Sequence, residues 1–180
     1  DTADELFYQR GFHAVGIDEI VAQSKVAKTT LYSHFRSKDL LIAACLQRRS
    51  DEAQAMFERE AGDPQLLPIA QIDRFFEIVE VACSDPEFRG CPFINFGIEF
   101  PMHDHPARVV CLAHRAWMKD FLAGMAARGG SVSSATVGAT LSHLYDAAMV
   151  GSQLDPAAGD AALARTTART LALLAFEGHD

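Results

Sequence analysis

The stretch Gly11–Leu41, GFHAVGIDEIVAQSKVAKTTLYSHFRSKDLL, carries the strongest structural signal in the chain. Ile17, Ile20 and Val21 recur at helical spacing and predict a short first helix. Residues 23–25, Gln-Ser-Lys, predict a tight turn directly after it. The stretch therefore begins with one short helix and a sharp change of direction.

A second helix is predicted immediately after this turn. Val26, Leu31 and Phe35 form its expected buried face. That leaves a polar outer surface of donors, acceptors and methyl groups, made by Lys28, Thr29, Thr30, Tyr32, Ser33 and His34. Such groups suit the base edges and phosphates of duplex DNA.

The charge pattern points to the same place. The formal net charge of the chain is -8, yet residues 25–49 carry one acidic side chain, Asp39, against the basic Lys25, Lys28, Arg36, Lys38, Arg48 and Arg49. A basic window in an acidic protein is where a polyanion would bind. On pattern alone, a helical hairpin with a solvated basic face remains open.

The stretch also resembles a known family. The tract Leu31-Tyr32-Ser33-His34-Phe35, with Lys38 three residues further on, is similar to the helix-turn-helix of TetR-family bacterial transcriptional regulators. Gly11-Phe12, Ile17 to Ala22 and Lys38 to Leu41 extend the similarity over about the first fifty residues. The resemblance implies an all-α protein with a three-helix DNA-binding domain over residues 1–45 and a helical-bundle domain for ligand binding and dimerisation over residues 46–180.

The resemblance also implies roles for individual side chains. The major groove would be contacted by Lys28, Thr29, Thr30 and Ser33. Phosphates would be bound by Tyr32, His34 and Lys38.

Three residues depart from the family pattern. Gly16 and Ala27 stand where a Ser or Thr helix cap is usual, and Lys25 stands where the turn usually has Gly. Losing a cap costs about 0.5–2 kcal/mol for Ala and much less for Gly. A left-handed Lys25 would cost roughly 1 kcal/mol more because of its Cβ. These departures predict a less stable module that keeps its DNA contacts.

The rest of the chain also predicts helices and no strands. Ser37 can cap a long helix from Lys38 to Ala61. Five more helix patterns follow, near residues 66–84, 92–102, 105–128, 132–153 and 157–177. Hydrophobic residues make up 49% of the chain, and no apolar run is long enough to span a membrane. Because the chain starts inside a helix pattern and shows no signal peptide, we expect further residues before Asp1 and a cytoplasmic location.

The last two helix patterns are apolar on more than one side, which favours a homodimer. The expected interface residues are Leu141, Leu144, Tyr145, Ala148, Leu171 and Leu174. The same residues could simply close the core of a single chain. By resemblance, two copies would form a four-helix bundle that places the two recognition helices about 34–36 Å apart on a palindromic operator.

Aromatic and polar residues in the middle of the chain suggest a cavity for a small-molecule effector. The candidates are Phe75, Cys91, Phe96, Glu99, Phe100, Trp117, Phe121 and His143. An ordinary aromatic core is the alternative. Glu99 lies within an apolar run, so its carboxylate must be either exposed or paired.

Cys91 differs from the other cysteines, which are Cys45, Cys83 and Cys111. Residues 89–92, Arg-Gly-Cys-Pro, predict a helix that starts at Pro92 with Cys91 as its cap, a position that lowers a thiol pKa. The segment also resembles a Gly-Cys-x-x-x-Asn element of one TetR subgroup. We hypothesise that Cys91 senses electrophiles or oxidants, with a buried structural cysteine as the alternative.

No enzyme, cofactor or metal pattern is found in the chain. It has no nucleophile elbow, phosphate-binding loop or zinc helix, and prolines bracket His103-Asp104-His105. Two functions remain. One is a dimeric repressor that binds double-stranded DNA and is released by a small molecule or electrophile. The other is a helical small-molecule or redox-binding protein whose basic hairpin binds another protein.

Overall fold

The computed structural model describes residues 1–177, which form nine helices and no strand. In chain order these are α1 (Thr2–Arg10), α2 (Ile17–Ser24), α3 (Lys28–His34), α4 (Lys38–Glu60), α5 (Pro68–Cys83), α6 (Pro92–Glu99), α7 (Ala107–Arg128), α8 (Ser134–Leu154) and α9 (Asp160–Glu177). The all-α fold is therefore confirmed. Within residues 1–177, no helix is both long and apolar enough to cross a membrane.

The described chain divides into two compact units. The first unit contains residues 1–52 and 91–114. Its core is a cluster of buried side chains that includes Phe7, Phe12, Val15, Ile20, Leu31, Leu41, Ile42, Leu46, Phe96 and Ala107. Two members of this cluster, Phe96 and Ala107, come from α6 and α7 rather than from the first four helices.

The second unit contains residues 53–90 and the chain from residue 115 onward. Its centre is aromatic: Phe75 stacks on Phe57 with ring centroids 4.4 Å apart and meets Phe76 edge to face at 5.3 Å. Arg165 of α9 bridges to α5, with N–O distances of 2.8 Å to Asp73 and 3.2 Å to Glu80. This hydrogen bonding lowers the pKa of Asp73.

These units do not coincide with the predicted domains. The sequence analysis divides the chain after residue 45, whereas the first unit also takes in residues 46–52 and 91–114. Compact packing does not by itself define an independently folding domain. The division into residues 1–45 and 46–180 therefore stays a prediction.

The turn between α2 and α3 has the geometry that its sequence implies. Lys25 has φ 57° and ψ 20°, the left-handed conformation, and is the one non-glycine residue with positive φ in the described chain. Gly16 and Ala27 make no side-chain cap hydrogen bond. Ser37 does cap α4, because its Oγ accepts a hydrogen bond from the backbone N–H of Leu40 at 3.2 Å.

Some core assignments are wrong. Val26 was predicted to be buried but is 40% exposed. It precedes the first residue of α3, so the helical spacing that relates Leu31 to Phe35 does not apply to it. On α4, the leucine spacing also predicts Leu40 and Ala44 to be buried, but both are exposed, and Ile42 and Leu46 lie inward instead.

Lys25→Gly should stabilise the protein, because glycine removes the Cβ that makes the left-handed conformation unfavourable. We expect the free energy of unfolding to rise by about 0.5–1 kcal/mol in urea titrations followed by circular dichroism. Lys25→Ala is the matched control, since it removes the same charge but keeps the Cβ. Equal stability of the two variants would show that the turn is not strained.

Candidate nucleic-acid interface

Helix α3 presents nearly all of its side chains to solvent. Lys28, Thr29, Thr30, Tyr32, Ser33 and His34 are all exposed, and Leu31 is the helix's one buried residue. The Ser33 hydroxyl donates a hydrogen bond to the carbonyl of Thr30 at 2.7 Å. Leu31 and the half-buried Phe35 attach the helix to the core, so its other side chains face solvent.

The basic charge near α3 is smaller than the sequence suggests. Arg48 and Arg49, both in the predicted basic window, pair with the Asp4 carboxylate of α1 at 2.8 Å and 2.6 Å. Arg48 also pairs with Asp1. These two arginines therefore tie α4 to α1 and their charges are largely neutralised within the first unit.

Two predicted DNA contacts have partners in the structure. The Lys28 Nζ lies 2.6 Å from the Asp18 Oδ1, in an ion pair between α3 and α2. Lys38 is partly buried, and its Nζ lies 6.0 Å from the centroid of the Phe7 ring. The long stem of Lys38 thus packs on the core while its charge stays near the surface.

The loop before α2 is fixed by Glu99, the last residue of α6. Its carboxylate accepts hydrogen bonds from the backbone N–H groups of Phe12 at 3.0 Å and His13 at 2.8 Å. The His13 ring stacks on Phe100 with centroids 4.3 Å apart. Gly11 leaves room for this contact, because its φ is +89° and a Cβ there would lie 3.0 Å from the Glu99 Oε1.

Glu99 was predicted as a pocket residue that is either exposed or paired. The structure shows the paired arrangement, with backbone N–H groups as the partners. Pattern analysis could not have found this, because the partners are 87 and 86 residues away in the chain.

The predicted pocket residues are spread over the two units. Cys91, Phe96, Glu99 and Phe100 belong to the first unit, whereas Phe75, Trp117, Phe121 and His143 belong to the second. Phe96 and Phe75 are fully buried in the aromatic cores of their own units. His143 is exposed on α8. The effector site that these residues were expected to form stays a prediction.

Cys91 is the N-cap residue of α6, as predicted, and Pro92 follows at the start of the helix. Its side chain makes no cap hydrogen bond, and the residue is only 4% exposed. Burial raises the pKa of Cys45 to about 11 and that of Cys111 to about 12. An electrophile would reach Cys91 only after local opening, and its role as a sensor stays a prediction.

The predicted dimerisation residues divide into two groups. Leu141, Tyr145 and Ala148 are buried within the single chain, so they are not available to a partner. The strong apolar pattern that marked them comes from the core of the second unit. Leu144 and Leu171 are partly exposed, and Leu174 is 67% exposed.

Comparisons with known proteins agree with this fold. Residues 1–45 match the family model described as "Bacterial regulatory proteins, tetR family". The crystal structure of SCO4454, a TetR-family transcriptional regulator from Streptomyces coelicolor, superposes with a TM-score of 0.91 and 31% identity, covering 98% of this chain and 93% of that one.

Two curated relatives match over shorter regions. The transcriptional activator FasR of Mycolicibacterium smegmatis is 40% identical over 83 residues, which cover 43% of this chain and 37% of FasR. The transcriptional repressor DhaR of a Mycobacterium species is 25% identical over 119 residues, which cover 65% of this chain and 58% of DhaR. The alignments thus span less than two thirds of either relative.

The fold and the exposed α3 define a helix-turn-helix protein of the transcription-regulator class. The extent of the match to the Streptomyces coelicolor regulator shows that the chain belongs to the TetR family. The matched proteins are named as regulators and not as enzymes.

Glu99→Ala should destabilise the first unit, because it leaves the N–H groups of Phe12 and His13 without their acceptor. We expect a loss of about 1–3 kcal/mol in the free energy of unfolding. Glu99→Gln keeps one acceptor oxygen and should lose less. Glu5→Ala removes an exposed carboxylate of α1 and serves as the control. If Glu99→Ala is as stable as Glu5→Ala, these hydrogen bonds do not hold the loop.

Proposed function

We propose that this protein is a dimeric transcriptional repressor that binds a palindromic operator through α3 and is released by a small molecule or electrophile. The observation that carries the proposal is the exposure of every polar residue of α3 that the sequence assigns to DNA contact. These side chains can donate and accept hydrogen bonds at groove edges and phosphates. The nearby cations Lys25 and Arg36 are also exposed.

Two observations support dimerisation: the small size of α3 and the uncharged surface that α8 and α9 expose. A recognition helix of seven residues makes a small interface, which is typical of weak binding unless it is duplicated. Helix α8 exposes an uncharged stripe made by Thr136, Thr140, His143, Ala147, Val150 and Leu154. Helix α9 exposes a second one made by Leu163, Thr166, Thr167, Thr170, Leu173 and Leu174.

We call these two sets of side chains the α8–α9 face. It contains no Asp, Glu, Lys or Arg, and the exposed Arg169 lies about a quarter turn from the centre of the α9 stripe. Exposed apolar side chains that cluster on one surface, such as Val150, Leu154, Leu163, Leu173 and Leu174 here, are typical of sites that bind another protein. A second copy of the chain, related by a two-fold axis, would cover this face with its own.

An effector would act by binding one arrangement of the protein better than another. Helices α4 and α7 each contribute residues to both compact units. We expect these two helices to transmit the effect of the bound effector to α3. Repression is the simplest regulatory effect, because a dimer bound to a promoter can block transcription without contacting another protein. A regulator of chromosomal DNA in a bacterium would work in the cytoplasm.

Selection from random duplexes with the full chain should recover an inverted repeat. Binding should weaken steeply with salt, since phosphate contacts release counterions. Lys38→Met keeps the stem over Phe7 but removes the charge, so it should lower the slope of log K against log salt by about 1 per subunit. Lys119→Met on α7, outside the candidate interface, is the matched control. Absence of binding to any duplex would refute the proposed function and favour a protein partner for the hairpin.

Leu174→Glu should disrupt the dimer, because the new carboxylate would be buried without a partner in the α8–α9 face. We expect the dimer dissociation constant, measured by sedimentation equilibrium, to rise by about a hundredfold or more. Leu112→Glu, at a comparably exposed leucine of α7, is the control and should leave it unchanged. The reverse pattern would place the interface elsewhere.

A further inference from the structure

The ion pair between Asp18 and Lys28 lies on the surface assigned to DNA contact. Asp18 belongs to the first turn of α2, and Lys28 is the first residue of α3. Their charged atoms are 2.6 Å apart, and the side chains are 85% and 53% exposed. The hydrogen bond from Lys28 to Asp18 raises the pKa of Lys28.

The neighbouring carboxylate has other partners. Glu19 forms an ion pair with Arg10 of α1 and accepts a hydrogen bond from Gln23 at 3.3 Å. Asp18 therefore pairs with the recognition helix, while Glu19 pairs within α1 and α2.

Stability does not account for the Asp18–Lys28 pair. Exposed ion pairs contribute little to folding, because water and salt screen them. Asp18 already interacts favourably with the N-terminal end of the α2 dipole without any partner. We therefore expect the pair to affect what this surface binds.

A free lysine on this surface would attract any phosphate, whatever the base sequence. Asp18 opposes that attraction, because a phosphate close to Lys28 also lies close to the Asp18 carboxylate. The pair also limits the orientations open to the flexible lysine stem. Both effects reduce sequence-independent binding.

We propose that Asp18 is a positioning residue for DNA selectivity, which holds the Lys28 ammonium in an ion pair and so limits its binding to phosphates irrespective of base sequence. This inference rests on the proposed function, in which Lys28 contacts the major groove. Asp18 thereby lowers affinity for random duplex more than affinity for the operator.

The test compares the full-length protein with its Asp18→Asn variant on random duplex and on the duplex recovered by selection. Asp18→Asn should bind random duplex about three- to tenfold more tightly near 0.1 M salt, with a slope against salt steeper by up to about 0.9 per subunit. Affinity for the selected duplex should rise less, so the ratio of the two affinities falls. Asp18→Glu can restore the pair and should return both quantities toward wild type.

Two further proteins separate this mechanism from a general loss of negative charge. Asp51→Asn removes an exposed carboxylate of α4, where Asp51 accepts a hydrogen bond from Gln47 at 2.8 Å. It should leave the affinity ratio unchanged. In a Lys28→Met background, most of the effect of Asp18→Asn should disappear, because its partner is absent.

The outcomes are distinct. If wild-type protein binds no duplex, the proposed function itself fails. If it binds but Asp18→Asn matches Asp51→Asn, or changes binding equally with and without Lys28, the role assigned to Asp18 is refuted. A lower affinity ratio that depends on Lys28 supports it.

Discussion

The first four helices cannot enclose Phe12 by themselves. The Phe12 ring packs against Phe7 of α1 at 5.6 Å, but it also meets Phe96 edge to face at 5.7 Å and Phe100 at 6.3 Å. Such aromatic pairs stabilise beyond the area that they bury. Because Phe96 and Phe100 come from the α6 segment, the core under the recognition helix depends on residues far along the chain.

This dependence explains how a short, uncapped helix can be held at the surface. Helix α3 has seven residues, no side-chain cap and one buried side chain, so it would not be stable alone. Its position comes from Leu31 and Phe35 packing on the shared core, and from Glu99 fixing the loop ahead of α2. Anything that changed α6 would therefore change the base on which α3 rests.

Local patterns in the sequence predicted much of the fold. The spacing of Leu31 and Phe35, the cap at Ser37 and the helix start at Pro92 all depend on residues close together in the chain, where propensity and capping rules apply. The family resemblance supplied the proposed DNA-contact residues, since helical spacing shows which side chains share a surface but not what they bind.

Long-range pairing was beyond such rules. The hydrogen bonds of Glu99 join α6 to the loop before α2, and the ion pairs of Arg49 with Asp4 and of Lys28 with Asp18 each join two helices. Likewise, apolar periodicity could not distinguish the buried Leu141 from the exposed Leu174, because apolar side chains have the same chemistry in the core and at the surface. In each case the missing information was which elements pack together.

Residues 91–114 form part of the structural unit that carries α3. Native-state hydrogen exchange with a Phe96→Leu variant tests it directly. In that case the opening free energies of the Ile20 and Phe100 amides, which are hydrogen-bonded in α2 and at the end of α6, should fall by the same amount. A fall confined to Phe100, with Ile20 unchanged, would contradict it.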